Sequence, residues 1–198
     1  MLTTLANLKV RLGLQPYDTT EDAILQGIID LCTGRFEAQA NRKFARTADA
    51  TFEFSADKTE IIPERYPIES VSTFHLKTTE SDGWLLQSAV DYLINSGHVI
   101  SLTAALGSER ERARITYTAG YVLPGTDPAA GQTALPEELE QIALEQSAFW
   151  YRNKDRIGLS AVSAGGAAVS QNPISVVKPL DLLPTATAVL GRYKRMVL

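Results

Sequence analysis

Acid–base, nucleophilic or metal chemistry in this 198-residue sequence would fall to a few side chains. They are two histidines, His75 and His98, one cysteine, Cys32, and four acids, Glu137, Glu138, Glu140 and Glu145. Each has a plainer reading. His75 and His98 lie in or beside segments of strand character, far from any partner base or nucleophile in sequence. Cys32 sits next to the apolar stripe of a helical segment, which suits a buried, inert thiol. The four acids open a helix, where negative charge is favoured by the dipole. Paired acid–base work needs two carboxylates converging across a cleft, and one helix does not supply that. The run Glu109-Arg110-Glu111-Arg112 is mixed in sign and reads as an exposed approach to a strand. Trp84, Trp150 and seven tyrosines are scattered, giving no stacking platform for bases. No phosphate-binding glycine loop, nucleophile elbow or zinc-binding helix motif occurs. We therefore expect no catalytic residue, no cofactor and no metal.

Composition narrows the class further. Apolar residues make up 44% and charged residues 21%, ordinary globular usage that excludes wholesale disorder. Nineteen basic against 23 acidic side chains give a net charge of −4, without a strong nucleic-acid footprint. A single cysteine excludes a disulfide framework within one chain. No apolar run reaches the length of a membrane span, and the N-terminus lacks the pattern of a signal peptide. The expectation is a soluble protein made in a cytoplasm.

Periodicity supplies the elements. Leu5, Leu8 and Leu12 share a helical face, with Gly13 as a stop. Thr19-Thr20-Glu21-Asp22 resembles a capping box and opens a long helix over about 20–45, with Ile24, Ile28, Leu31, Phe36, Ala40 and Phe44 on its apolar face. The period then changes to two. Thr51–Phe54, Ile61–Ile62, Ile68–Leu76, Tyr92–Ile94, Val99–Leu102 and Arg112–Tyr117 read as short strands, and Asn95-Ser96-Gly97-His98 reads as a hairpin turn. Residues 123–134 form a Pro- and Gly-rich loop. Pro136 starts a helix striped by Leu139, Ile142, Ala143, Phe149 and Trp150. A final helix spans about 180–195, with Leu182, Leu183, Ala186, Val189, Leu190 and Tyr193 on one face. The fold class is α+β: a bundle of about four helices carrying a small antiparallel β-rich insertion. It forms a single domain, with helical parts 1–47 and 135–198 and the insertion at about 50–122. Ile24, Ile28, Phe36, Leu139, Ile142, Phe149 and Trp150 are the expected helical core.

The order of short motifs then matters. A Leu-rich first helix is followed by Asp22–Ile29 and by Ala40-Asn41-Arg42-Lys43-Phe44. Next come Arg65-Tyr66-Pro67-Ile68-Glu69-Ser70-Val71, Arg114-Ile115-Thr116-Tyr117-Thr118-Ala119-Gly120-Tyr121 and Leu135-Pro136-Glu137-Glu138-Leu139. A Gly/Ser/Ala segment precedes a terminal helix ending Tyr193-Lys194-Arg195. Across nearly its whole length the sequence resembles the head–tail connector proteins of tailed bacteriophages, also called adaptor or head-completion proteins. The stretches Gly125–Thr133 and Gly158–Lys178 are longer than that family suggests.

The resemblance implies a homo-oligomeric ring, commonly of twelve subunits in the virion. Such a ring docks beneath the portal, extends the DNA channel toward a stopper or tail protein, and carries no catalysis and no cofactor. DNA would pass through its lumen without sequence-specific binding, and no membrane is involved. On this reading the terminal helix, with Leu183, Leu190, Arg192, Tyr193, Lys194 and Arg195, is the expected portal contact. The stretch 158–178, without charge between Gly158 and Val177 and carrying Val162, Gly165, Gly166 and Val169, is the expected inter-subunit loop, and Glu137, Glu138, Glu140 and Glu145 are the expected channel-facing acids. A rival reading is a ring-forming DNA-binding packaging factor similar to a small terminase subunit. It would use Arg35, Arg42, Lys43 and Arg46 on the long helix. A tail-completion protein is a further alternative.

Overall fold

The computed structural model describes residues 1–154 and 181–196. These contain four helices, α1 (Leu5–Leu12), α2 (Asp22–Ala40), α3 (Glu137–Arg152) and α4 (Pro184–Arg192). Between α2 and α3 run seven strands: β1 (Thr47–Ser55), β2 (Glu60–Ile61), β3 (Ile68–Lys77), β4 (Leu85–Gln87), β5 (Tyr92–Asn95), β6 (Val99–Leu102) and β7 (Arg112–Ala119). The protein is an α+β fold of helices and antiparallel sheets. The chain divides into two compact units. One comprises Met1–Phe36 and Glu137–Arg192, the other Glu37–Pro136 and Tyr193–Leu198.

The helical unit is built by capping and apolar burial. Thr4 caps α1 by accepting from the Asn7 N–H at 3.1 Å, and Gly13 ends it with φ 73°, a conformation that suits glycine. Leu8, Leu25, Ile29 and Ala148 form the buried centre, with Leu5, Leu12, Leu14, Leu144 and Tyr151 packed around them. Lys9 is buried, yet its Nζ lies 2.5 Å from Asp22 Oδ1 and donates to the Asp18 carbonyl at 2.7 Å. The charge is therefore paired rather than stranded, as a buried ammonium requires. Tyr151 and Lys154 both donate to Glu21 and hold its carboxyl below the usual carboxylate range.

The expected helical core needs correction at three positions. Phe36, Leu139, Ile142 and Trp150 are buried, but Ile24 is 48% exposed, and Ile28 and Phe149 are only half-buried. The buried stripe of α2 is instead Leu25, Ile29, Cys32, Phe36 and Ala40, one residue out of phase. Apolar pairs at 24–25, 28–29 and 31–32 satisfy the helical period in either phase, so periodicity alone could not choose. The long helix also stops at Ala40, not at about 45. Asn41 takes the left-handed conformation, φ 51°. Its N–H bonds the Ala38 carbonyl, and the Arg42 N–H bonds the Glu37 carbonyl at 3.1 Å. That is a Schellman ending with asparagine in the glycine position. The terminal helix is shorter than expected, beginning at Pro184 and ending at Arg192.

In the β unit the sheet orders are β1-β7-β3-β4 and β2-β6-β5, all pairings antiparallel. The period-two sequence decides the faces. Along β7, Ala113, Ile115, Tyr117 and Ala119 are buried, while Arg114, Thr116 and Thr118 alternate with them outward. With Phe54, Phe74, Ile100 and Leu102 these residues form one apolar core. The β5–β6 hairpin turns at Ser96 and Gly97, both at positive φ, where the sequence signalled it.

Candidate functional site

Three of the motifs that carry the family resemblance, Ala40–Phe44, Arg65–Val71 and Arg114–Tyr121, meet at one place in the β unit. Arg42 is 3% exposed. Its guanidinium carbon lies 3.2 Å from the ring centroid of Tyr66, 5.0 Å from that of Phe44 and 5.4 Å from that of Tyr121. It also donates to the Tyr66 carbonyl. Ring faces rather than a carboxylate meet its charge, an arrangement that gains strength where water is excluded. Burial holds the Arg42 guanidinium below its ordinary value and pushes the Tyr66 phenol above its own.

Backbone bonds lock the same junction. The Tyr121 N–H donates to the Phe44 carbonyl and the Arg46 N–H to the Tyr121 carbonyl, each at 2.8 Å. The Gly120 N–H donates to the Pro67 carbonyl at 2.9 Å. Arg46 makes a two-pronged pair with Glu69, 2.8 and 2.9 Å. Gly120 is at φ 109°, and a Cβ there would meet the Ala45 carbonyl oxygen at 2.6 Å. Gly120→Ala is therefore expected to cost about 2 kcal/mol in backbone strain alone. Urea unfolding at constant slope checks it. These bonds fasten the backbone at Phe44–Arg46, Pro67 and Gly120–Tyr121 to one another.

This geometry removes the recognition-helix arrangement of Arg35, Arg42, Lys43 and Arg46. The helix ends before Arg42. Arg42 is buried, the exposed Lys43 pairs with Glu37 at 2.7 Å, and Arg46 pairs with Glu69, so of the four only Arg35 lies on α2.

The terminal segment is held within its own chain. Gln146, fully buried on α3, donates to the Asp181 carbonyl at 3.1 Å and accepts from the Leu183 N–H at 2.7 Å. Trp150 Nε1 also donates to the Asp181 carbonyl. Leu190 is 1% exposed, so this expected partner contact is a core residue, buried by the packing of α4 on α3. Leu183 is half-buried. Arg192 pairs with Glu138 at 2.6 Å. In the β unit, Tyr193 accepts at its carbonyl from the Tyr66 hydroxyl at 3.1 Å. The Arg195 N–H donates to the Ala40 carbonyl at 2.8 Å, and Arg195 Nε to the Ile62 carbonyl at 3.0 Å. Lys194 is exposed.

Two of the four acids of α3 have a base beside them. Glu138 pairs with Arg192, Glu145 lies 3.9 Å from Arg11, and Glu140 accepts from the Asn7 amide at 2.7 Å. Glu137 is exposed at the helix start. Val162, Gly165, Gly166 and Val169 lie outside the described residues. Burial pushes the Cys32 thiol up to about 12. His75 and His98 sit in different strand regions, and no group of acid, histidine or cysteine side chains among the described residues is arranged to hold a metal ion. No helix among them is long and apolar enough to cross a membrane.

No protein-family model matches the chain, and no curated protein does. Solved structures do. One is a chain in the neck of an empty gene transfer agent particle computed with sixfold symmetry. The likeness covers 100% of this chain and 91% of that one at 16% identity, with a TM-score of 0.59. Another is a chain in the virion of a native gene transfer agent particle, with the same coverage, 15% identity and a TM-score of 0.58. At these identities the likeness is one of fold, and it extends over the whole length of the chain.

Proposed function

We propose that this chain is a structural protein of the neck of a phage-like particle. Copies assemble into a ring of twelve that joins the portal of the head to a stopper or tail protein and extends the DNA channel. The reading assigns it no catalysis and no cofactor. It places the chain in the virion after synthesis in the host cytoplasm. The observation that carries the reading is the end-to-end likeness of fold to chains of gene transfer agent particles, one of them from a neck. A twelve-subunit ring is compatible with a sixfold axis. The net charge of −4 suits a channel through which DNA must slide, because a strongly basic lumen would hold each phosphate by counterion release.

Within this reading the exposed residues Glu137 and Lys194 are the best placed of the expected contacts to face outward, toward channel and portal respectively. Leu183 and Arg192 remain secondary candidates at the portal. The segment 158–178 is assigned to the subunit seam. Native mass and two-dimensional class averages of the purified protein, alone and mixed with portal, test the proposal. Closed rings that co-migrate with portal are the expected result. A monomer in both conditions, without portal association, ends it.

A further inference from the structure

Helix α2 carries apolar residues on two opposite sides, and its own unit uses only one. Leu25, Ile29, Cys32, Phe36 and Ala40 are buried. The far side reads as a heptad seam, with Ile24, Leu31 and Ala38 at the a positions and Gly27 and Gly34 at the d positions, each of them exposed. Ile24 is 48% and Leu31 45% exposed. A helix that is apolar all round is a helix covered all round. The two glycines have no internal use. Glycine weakens a helix interior relative to alanine. A Cβ on Gly27 or Gly34 would meet nothing within 4 Å beyond the neighbouring turns of the helix itself. Packing within the chain therefore gives no reason for either.

Two charges flank this seam, Asp30 at g and Arg35 at e. Both are exposed, and neither has a hydrogen-bond or ion-pair partner among the described residues. They lie on opposite flanks, with Arg35 one g-to-e step after Asp30. That is the spacing by which two parallel copies of one helix pair across a coiled-coil seam. The pattern completes itself twice, because Asp30 of each copy meets Arg35 of the other. One heptad earlier the same relation sets Ala23 against Ile28, an apolar contact. In an antiparallel pair, like flanks meet, and Asp30 would miss Arg35.

We propose that α2 binds α2 of a second copy of this chain, in parallel, through the seam Ile24–Gly27–Leu31–Gly34–Ala38, with Asp30 of each copy paired to Arg35 of the other. The glycine layers let the two helix axes approach closely, so that Ile24, Leu31 and Ala38 meet their own counterparts. The charges select the occupant, since an identical helix satisfies both at once. A lipid surface would call for basic residues along both margins of the stripe, and these margins carry one charge of each sign. A seam of two heptads is short, so the association is weak and depends on concentration. The pairing is read from α2 and does not depend on the neck reading.

Oxidative cross-linking of the full chain tests it. In a parallel pair, residue 34 of one copy lies beside residue 34 of the other. Gly34→Cys, treated with copper phenanthroline at micromolar protein, is expected to form a disulfide dimer about tenfold faster than Val10→Cys, a control at an exposed site on α1. The native Cys32 is buried and stays out of the reaction. In the Gly34→Cys background, Asp30→Arg or Arg35→Asp slows cross-linking about threefold or more, since each brings like charges together twice. Mixing those two chains restores the rate to within about twofold, because every charge across the seam is then opposed by its complement. Unfolded chains could not give that recovery. Cross-linking of Gly34→Cys no faster than of Val10→Cys overturns the proposal. So does a rate indifferent to the charge reversals, or a mixture that stays slow. Mixed Gly27→Cys and Gly34→Cys chains that cross-link faster than either alone would show antiparallel helices and overturn it too.

Discussion

Phe36→Ala lowers the stability of the protein by about 3–5 kcal/mol. Phe36 has 0% exposure in the middle of the buried stripe Leu25, Ile29, Cys32, Phe36 and Ala40. Alanine is the best helix former, so α2 loses nothing in local propensity and the whole cost lies in packing. For a chain of this size the loss corresponds to a fall in Tm of roughly 10 °C. Ile24→Ala on the same helix supplies the contrast. Ile24 is 48% exposed, and its truncation is expected to cost less than about 1 kcal/mol. Thermal and urea unfolding of the two variants side by side give the measurement. Equal effects would show that the phase of the buried stripe is wrong, and wild-type-like unfolding of Phe36→Ala would remove Phe36 from the core.

That contrast marks what the sequence could and could not reveal. Strands were legible because alternation has one solution wherever a face is buried. The run Arg112–Ala119 buries every second residue, and Ser96-Gly97 turns the hairpin with the positive φ its composition allows. Helix α2 was legible as a helix but not in phase, since adjacent apolar pairs let two stripes compete. Its end was present in the sequence as Asn41, an acceptable left-handed residue, yet the apolar Phe44 four positions after Ala40 continued the helical pattern and masked the stop. The Arg42 junction could not be read at all. It joins residues 42, 66 and 121, and no periodicity relates positions so far apart. The three motifs that supply these residues meet only in the folded β unit. The same holds for Lys9 and Asp22, each an ordinary charged residue until α1 and α2 pack. The outward arginines of β7 were visible as types, but only the register reveals that they oppose Lys77 and His75.

Deletion of the chain from Arg192 onward is expected to destabilise the β unit by about 2–4 kcal/mol. Residues Tyr193–Arg195 supply three hydrogen bonds there, to the Tyr66 hydroxyl and to the carbonyls of Ala40 and Ile62. Each contributes about 0.5–1.5 kcal/mol net. The Ala40 carbonyl has no intrahelical partner at the end of α2, and Ala40 itself is fully buried, so losing the Arg195 N–H leaves a polar group without its donor. The Arg195 guanidinium also sits 5.1 Å from the Phe52 ring centroid, worth about 0.5–1 kcal/mol. The Arg192–Glu138 pair adds little, because both side chains are substantially exposed. The ordering entropy of the strap offsets part of the sum. The truncation is thus a stability variant and cannot by itself separate docking from folding. Lys194→Glu can. Lys194 is exposed between two anchored neighbours, so its charge reversal is expected to leave thermal unfolding within about 0.5 kcal/mol of wild type. If the strap is an internal fastening, the deletion lowers Tm and Lys194→Glu leaves portal association intact. If Lys194 is a portal contact as proposed, Lys194→Glu weakens association with no change in Tm. A truncated protein that unfolds like wild type would show that Tyr193–Arg195 hold nothing in solution.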